Sequence, residues 1–413
     1  MRKKLPRAVY QKRAIDRNTT ELMVERPIQL AQLNLKLETG NIAILEGIKG
    51  SGKTSIGNYY RFTTENVLTP EIEISCKPNI GVEMFIHNIL AAITHEIHYK
   101  KPNKDGHEVY SDFHNISQSD IAQKLFKRYE PYYESGGSLS FAGFGVGGNK
   151  TYKENPSLSK VQLISDMKEL GGVIAKSQTG HESRILIQLE NFDISDKTSE
   201  YSEGDKLEKF FSSIRDILIL ENYSWIINGT EGIGRRLKSS DDGASDIMPE
   251  ALIVPSVTLD ECREIIDLRV KTYTNNQIKN FPITDDLLKQ VYEICKPSLR
   301  ELLATLSLLD QLSLESESIN LDTASKTLFK TYPIYAELTT NRKKLMKAIF
   351  SNPGSNQTEI KKITELGQST ISENLSYLEE NSLIRVRRVE KHKHYKLTTN
   401  SFLATHHIIK EKL

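Results

Sequence analysis

The sequence predicts an α/β core on a parallel sheet, an all-α lid after it, and a C-terminal winged-helix module. Three observations predict this. The apolar run NIAIL leads into the glycine-rich loop GIKGSGKT and then a helical stretch, SIGNYYRF. Two further apolar runs, ILIQL and YSWIIN, end in polar residues far downstream, as strands of a buried parallel sheet do at the edge where ligands bind. Residues 338–413 read as helix, short helix, turn, helix and two-stranded wing.

Composition sets the frame. A chain of 413 residues suits two or three domains, and 38% hydrophobic with 26% charged residues describes a globular protein with real cores. No run nears the ~18 apolar residues of a membrane span. The basic start MRKKLPRAVYQKR has no apolar segment behind it and is no secretory signal. Cys76, Cys262 and Cys295 are too widely spaced for a disulfide framework or a zinc site, so a cytoplasmic location is expected. The net charge of +1 hides an asymmetry. Residues 339–413 carry 14 Lys+Arg against 7 Asp+Glu, while the remainder carries 41 against 47. A basic module on a mildly acidic body points to a polyanion partner.

The expected division is a basic N-terminal arm over 1–24, the core over 25–255 with an insertion at 100–156, the lid over 256–332 and the winged helix over 338–413. Gly47, Gly50, Ser51, Gly52, Lys53 and Thr54 fill the pattern G-x-x-x-x-G-K-[ST] between a strand and a helix. Glycines let the backbone curl round phosphates, and the helix start adds positive potential. Lys53 is expected at the β- and γ-phosphates of ATP and the Thr54 hydroxyl at Mg²⁺. A second glycine run, Gly143 to Gly148, satisfies G-x-G-x-x-G but is followed by a polar, proline-ended stretch where a helix is needed, and reads as a hairpin or insertion. The stretch HNISQSDIAQKLFKRYEPYY before it reads as helical.

A phosphate loop needs a carboxylate delivered to the metal side by another strand. ILIQLENFD supplies one in Glu190. Asn191 follows, able to hold a water by hydrogen bond but not to take its proton; Asp193 is the nearest acid that could substitute. YSWIINGT ends at Asn228, a polar strand tip, and GIGRRL offers Arg235 and Arg236 as arginine-finger candidates for a neighbouring copy's nucleotide. After a short strand over 251–254, Thr258 and Glu261 form a capping box, with Leu259, Cys262, Ile265, Ile266 and Val270 as the apolar stripe. Two more helical stretches follow, the second holding Arg300 in its first turn.

GIKGSGKT, LENFD, IINGT, VTLDECREIIDLRV and KPSLRELLATL, in that order, resemble the AAA+ ATPases of the replication-initiator (origin-recognition) type. The resemblance implies a P-loop ATPase core and a helical lid whose arginine, here Arg300, contacts the γ-phosphate. It also implies ATP hydrolysis coupled to DNA binding or assembly. The insertion at 100–156 exceeds what such a core needs, as segments that meet a second copy in a homo-oligomer or a partner protein often do, with an inert excursion the alternative. Glu190-Asn191 departs from the family's usual Asp-Glu, which implies slow turnover. A STAND-like signalling switch that holds ATP and docks protein is the competing reading.

In the C-terminal module Leu345, Ile349 and Phe350, then Ile360 and Ile363, then Ile371, Leu375 and Leu378 are expected to face inward on three helices, with Ile384 and Val386 inward on the wing. STISENLSYLEENSLI resembles the recognition helix and wing of bacterial winged-helix regulators. Lys361, Lys362, Arg385, Arg387, Arg388, Lys391 and Lys393 suit DNA phosphates, and Ser369 and Thr370 lie on the recognition face. Glu373 on that face opposes DNA, and a protein-docking module is the alternative. Arg2, Lys3, Lys4 and Arg7 are further basic residues of the arm.

Overall fold

The structure, a computed structural model, describes residues 5–11, 14–65, 67–71, 74–76, 81–99, 116–117, 119–129, 158–176, 184–192, 206–239, 244–277, 281–295, 298–313, 316–389 and 392–410. The chain divides into two units: Ala14–Ser256, and Met1–Arg13 together with Val257–Leu413. The glycine run at 143–148, Asp193, Lys391, Arg2, Lys3 and Lys4 lie outside the described residues.

In the first unit, strands β1 (Ile42–Glu46), β2 (Val67–Leu68), β3 (Ile74–Ser75), β4 (Arg184–Phe192), β5 (Tyr223–Gly229) and β6 (Leu252–Ile253) form one sheet. Its order is β2-β4-β5-β1-β6, with β3 also on β4, and every pairing is parallel. Alternate side chains feed two cores. Ile42, Ile44, Ile185, Ile187, Leu189, Trp225 and Ile227 enter one; Ala43, Leu45, Leu186 and Ile226 enter the other. Both faces are therefore apolar, as an all-parallel sheet requires. Helices α1 (Pro27–Thr39) and α2 (Lys53–Thr63) cover the second face through Leu33, Leu37, Ile56 and Tyr60. Helices α3 (Val82–Tyr99), α4 (Asp120–Tyr129), α5 (Lys160–Lys176), α6 (Lys206–Ser213), α7 (Arg215–Leu218) and α8 (Ile233–Lys238) cover the first.

In the second unit, α9 (Leu259–Thr274), α10 (Asp285–Cys295), α11 (Leu299–Leu312) and α12 (Leu321–Thr331) share one core. The capping box at the head of α9 is formed in both directions: the Thr258 amide donates to Glu261 Oε2 at 2.6 Å, and the Glu261 amide to Thr258 Oγ1 at 3.2 Å. Leu5, Val9 and Tyr10 are buried in the same core, and Arg269 Nη1 donates to the Gln11 carbonyl at 2.7 Å. That part of the arm is structural packing, with Arg7 exposed.

The winged helix follows: α13 (Thr340–Ser351), β7 (Ser355–Asn356), α14 (Gln357–Thr364), α15 (Gln368–Glu380), β8 (Ile384–Val389), β9 (His392–Leu397) and α16 (Thr399–Lys410). Its antiparallel sheet runs β7-β9-β8. Leu345, Ile349, Ile360, Ile371, Leu375, Leu378 and Ile384 are buried where expected. Ile363 is the exception, 47% exposed. On the two-turn α14, Ile360 and Thr364 take the inward i, i+4 positions and turn Ile363 outward. Among the described residues no helix is long and apolar enough to cross a membrane.

Candidate functional site

The loop after β1 is shaped by its glycines. A Cβ at Gly47 would stand 2.4 Å from the Val254 carbonyl oxygen, just past the end of β6. Gly50 and Gly52 have φ of 90° and 93°, a region most side chains avoid. Gly52 caps α2, whose first residue is Lys53. Lys53 Nζ donates to the Gly47 and Ile48 carbonyls, both at 2.8 Å, so its ammonium is held inside the curl of the loop. Ser51 is fully buried.

Strand β4 carries the carboxylate to this loop. Thr54 Oγ1 donates to Glu190 Oε2 at 3.1 Å, across 136 positions of sequence. The other oxygen, Oε1, accepts from Gln188 Nε2 at 2.7 Å and from Asn228 Nδ2. β5 lies between β1 and β4, which puts the Asn228 amide, buried at the end of β5, beside the acid. Two hard oxygen ligands side by side, a hydroxyl and a carboxylate, fit a Mg²⁺ ion that keeps waters and phosphate oxygens as its remaining ligands. Among the described residues no cluster of three or more His, Cys, Asp or Glu forms a metal site without phosphate. Burial, and secondarily the Glu190 charge, pushes the Cys76 thiol well above its usual range, so it stays neutral beside the carboxylate.

Asn191 departs from a straight strand. β4 pairs Leu189 with Ile227 and Phe192 with Gly229, leaving two residues against one between them, a bulge at 190–191. Asn191 takes φ 75° and is exposed, a conformation asparagine tolerates better than most. The extra residue turns Phe192 back into the apolar core beside Phe211.

Two residues of this site escaped the sequence reading. Gln188, 1% exposed in an apolar strand, shares the Glu190 face because it lies two residues before it. Its side chain fits because position 57 is glycine: a Cβ there would be 2.4 Å from Gln188 Oε1. The only trace was a lone amide among apolar neighbours. The buried Arg26 donates from Nη1 to the Ser51 carbonyl at 3.1 Å and the Pro255 carbonyl at 3.2 Å, bracing the loop from outside the motif.

The arginine-finger candidates separate. Arg235 is exposed. Arg236 grips Glu208 through Nε and through Nη2 at 3.0 Å, a bidentate pair with α6. Arg300 is exposed at the head of α11. On the winged helix, Lys361, Lys362, Ser369, Arg387 and Arg388 are exposed and Thr370 is half-buried. Lys393 lies 3.7 Å from Glu379. Arg385, expected among the phosphate contacts, is held by Glu301, with Nη1 to Oε2 at 2.8 Å and a second bond from Nη2 to Oε1.

A parallel sheet with this loop at the end of β1, followed by a four-helix lid and a winged helix, defines a P-loop α/β fold with two appended modules. The chain is similar along its whole length to solved structures of Cdc6 and ORC proteins. With Cdc6p from Pyrobaculum aerophilum it shares 15% identity over 99% of each chain, at a TM-score of 0.43. With the Aeropyrum pernix ORC1 protein in complex with DNA it shares 12% over 100% of each, at 0.41. With the Aeropyrum pernix ORC2 protein in its ADPNP-ADP complexes it shares 11% over 99% of each, at 0.47. No protein-family model and no curated protein matches the chain. At such identities the fold class rests on the strand order and loop geometry above.

Proposed function

We propose that this chain is a cytoplasmic ATP- and Mg²⁺-binding AAA+ ATPase of initiator, mobile-element or defence type that couples nucleotide state to DNA binding or assembly through its winged helix. The observation that carries the proposal is the meeting of Thr54 with Glu190 beside the curled loop that holds Lys53. In this reading the loop amides and Lys53 bind the phosphates, and Thr54 and Glu190 hold Mg²⁺, which when bound neutralises and orients phosphate oxygens. Asn228 and Gln188 fix the Glu190 carboxylate by occupying Oε1, leaving Oε2 toward Thr54. Arg300 and Arg235 are proposed as phosphate-contacting arginines, and the insertion at 100–156 as the surface for a second copy or a partner protein.

Turnover is slow in this account because position 191 carries an amide, with Asp193 the proposed substitute base. Asn191→Glu is expected to raise phosphate release on the order of 100-fold, the lower end of a positioned general base. Its left-handed backbone costs the variant about 1 kcal/mol of stability. A malachite-green assay on purified protein reads the first effect and thermal melting the second. Unchanged release would remove position 191 from the chemistry.

A further inference from the structure

Glu301 sits in the first turn of α11, next to Arg300, and its carboxylate gathers three donors from the winged helix. Both terminal nitrogens of Arg385 on β8 reach it, and Thr399 Oγ1 at the start of α16 donates to Oε1 at 2.8 Å. A second link runs beside it, from Lys396 Nζ on β9 to the Ile294 carbonyl of α10 at 2.9 Å. Arg385 is therefore set apart from the other wing arginines. Arg387 and Arg388 on the same strand are exposed, whereas Arg385 is already bound to an acid in a fork-to-fork geometry of the kind a phosphate would offer.

We infer that Glu301 is an autoinhibitory clamp on the wing: it holds Arg385 back from nucleic-acid phosphate, and releasing it adds one phosphate contact to the DNA-binding face. The clamp rests on the DNA-binding reading proposed above. The Arg385 side chain is 52% exposed and that of Glu301 21%. Solvent reaches both groups, so the pair can open and each charge be rehydrated. A fully buried pair could not serve, because separating it would strand a charge.

The test is a salt titration of binding to a fluorescent 30-base-pair duplex, using the full chain as wild type, Glu301→Gln, Arg385→Gln and the double variant. Glutamine keeps an acceptor for Thr399 while removing the charge, and circular dichroism confirms each variant is folded. Glu301→Gln is expected to steepen the slope of log K against log salt by about 0.9, and so to tighten binding about 8-fold at ~0.1 M salt. Arg385→Gln and the double variant should match wild type. An unchanged slope for Glu301→Gln, in a wild type that binds DNA, overturns the clamp alone. Loss of affinity in Arg385→Gln also overturns it, because Arg385 would then already be on the DNA. Binding by Glu301→Gln but not by wild type supports a complete clamp. Binding by neither overturns both the clamp and the DNA-binding reading.

Discussion

Lys53→Ala is expected to weaken MgATP binding about 100-fold, near the upper end for a lost charge-assisted contact of ~1.5–3 kcal/mol. The ammonium sits inside the loop, 2.8 Å from two carbonyl oxygens at the place where phosphate oxygens would be received. Alanine leaves the curl of Gly50 and Gly52 intact, since those φ values belong to the glycines. Removing Lys53 takes away the cation that the loop itself holds at its centre, leaving its amide dipoles there. Isothermal titration with wild type in parallel reads the effect, and circular dichroism checks the fold. Unchanged affinity in a folded variant would move the nucleotide away from this loop.

Neutralising Arg387 and Arg388 together is expected to flatten the salt dependence of DNA binding by about 1.8 and to weaken binding about 60-fold at ~0.1 M salt. Both side chains are exposed on β8. The recognition helix offers Gln368, Ser369, Ser372 and Ser376 without a cation, and it exposes Glu373. In the proposed reading, affinity in this module comes from the wing and from Lys361 and Lys362, while the helix supplies polar groups for base edges. An unaltered slope would assign the wing's charge to another partner, and the module would then be read as a protein-docking surface.

Much of the fold is legible in the sequence because its elements bury one side and leave a periodic trace. β1, GIKGSGKT, the end of β4 at Glu190, β5 and the Thr258–Glu261 box all stand where the pattern puts them. α3 is less legible: VEMFIHNILAAITHEIHY is apolar round most of its circumference, so it shows little periodicity. The two-residue strands β2 and β3 are too short to carry any pattern. Within the site, what stayed hidden were partners. Arg236 with Glu208, Arg385 with Glu301 and Arg26 with the Ser51 carbonyl join residues 28, 84 and 25 positions apart. Periodicity reports which face is buried, not which charge meets which. The bulge at Asn191 was hidden for a related reason: it is an offset between two strands, visible only once β4 lies beside β5.

The central claim is that a hydroxyl at the head of α2 and a carboxylate from β4 together receive the metal that accompanies the nucleotide. Its most direct test is ATP affinity measured with Mg²⁺ and with EDTA, in wild type and in Glu190→Gln. The account predicts that Mg²⁺ tightens ATP binding in wild type and that Glu190→Gln loses this gain while binding metal-free ATP as well as before. An equal Mg²⁺ gain in both proteins would contradict it.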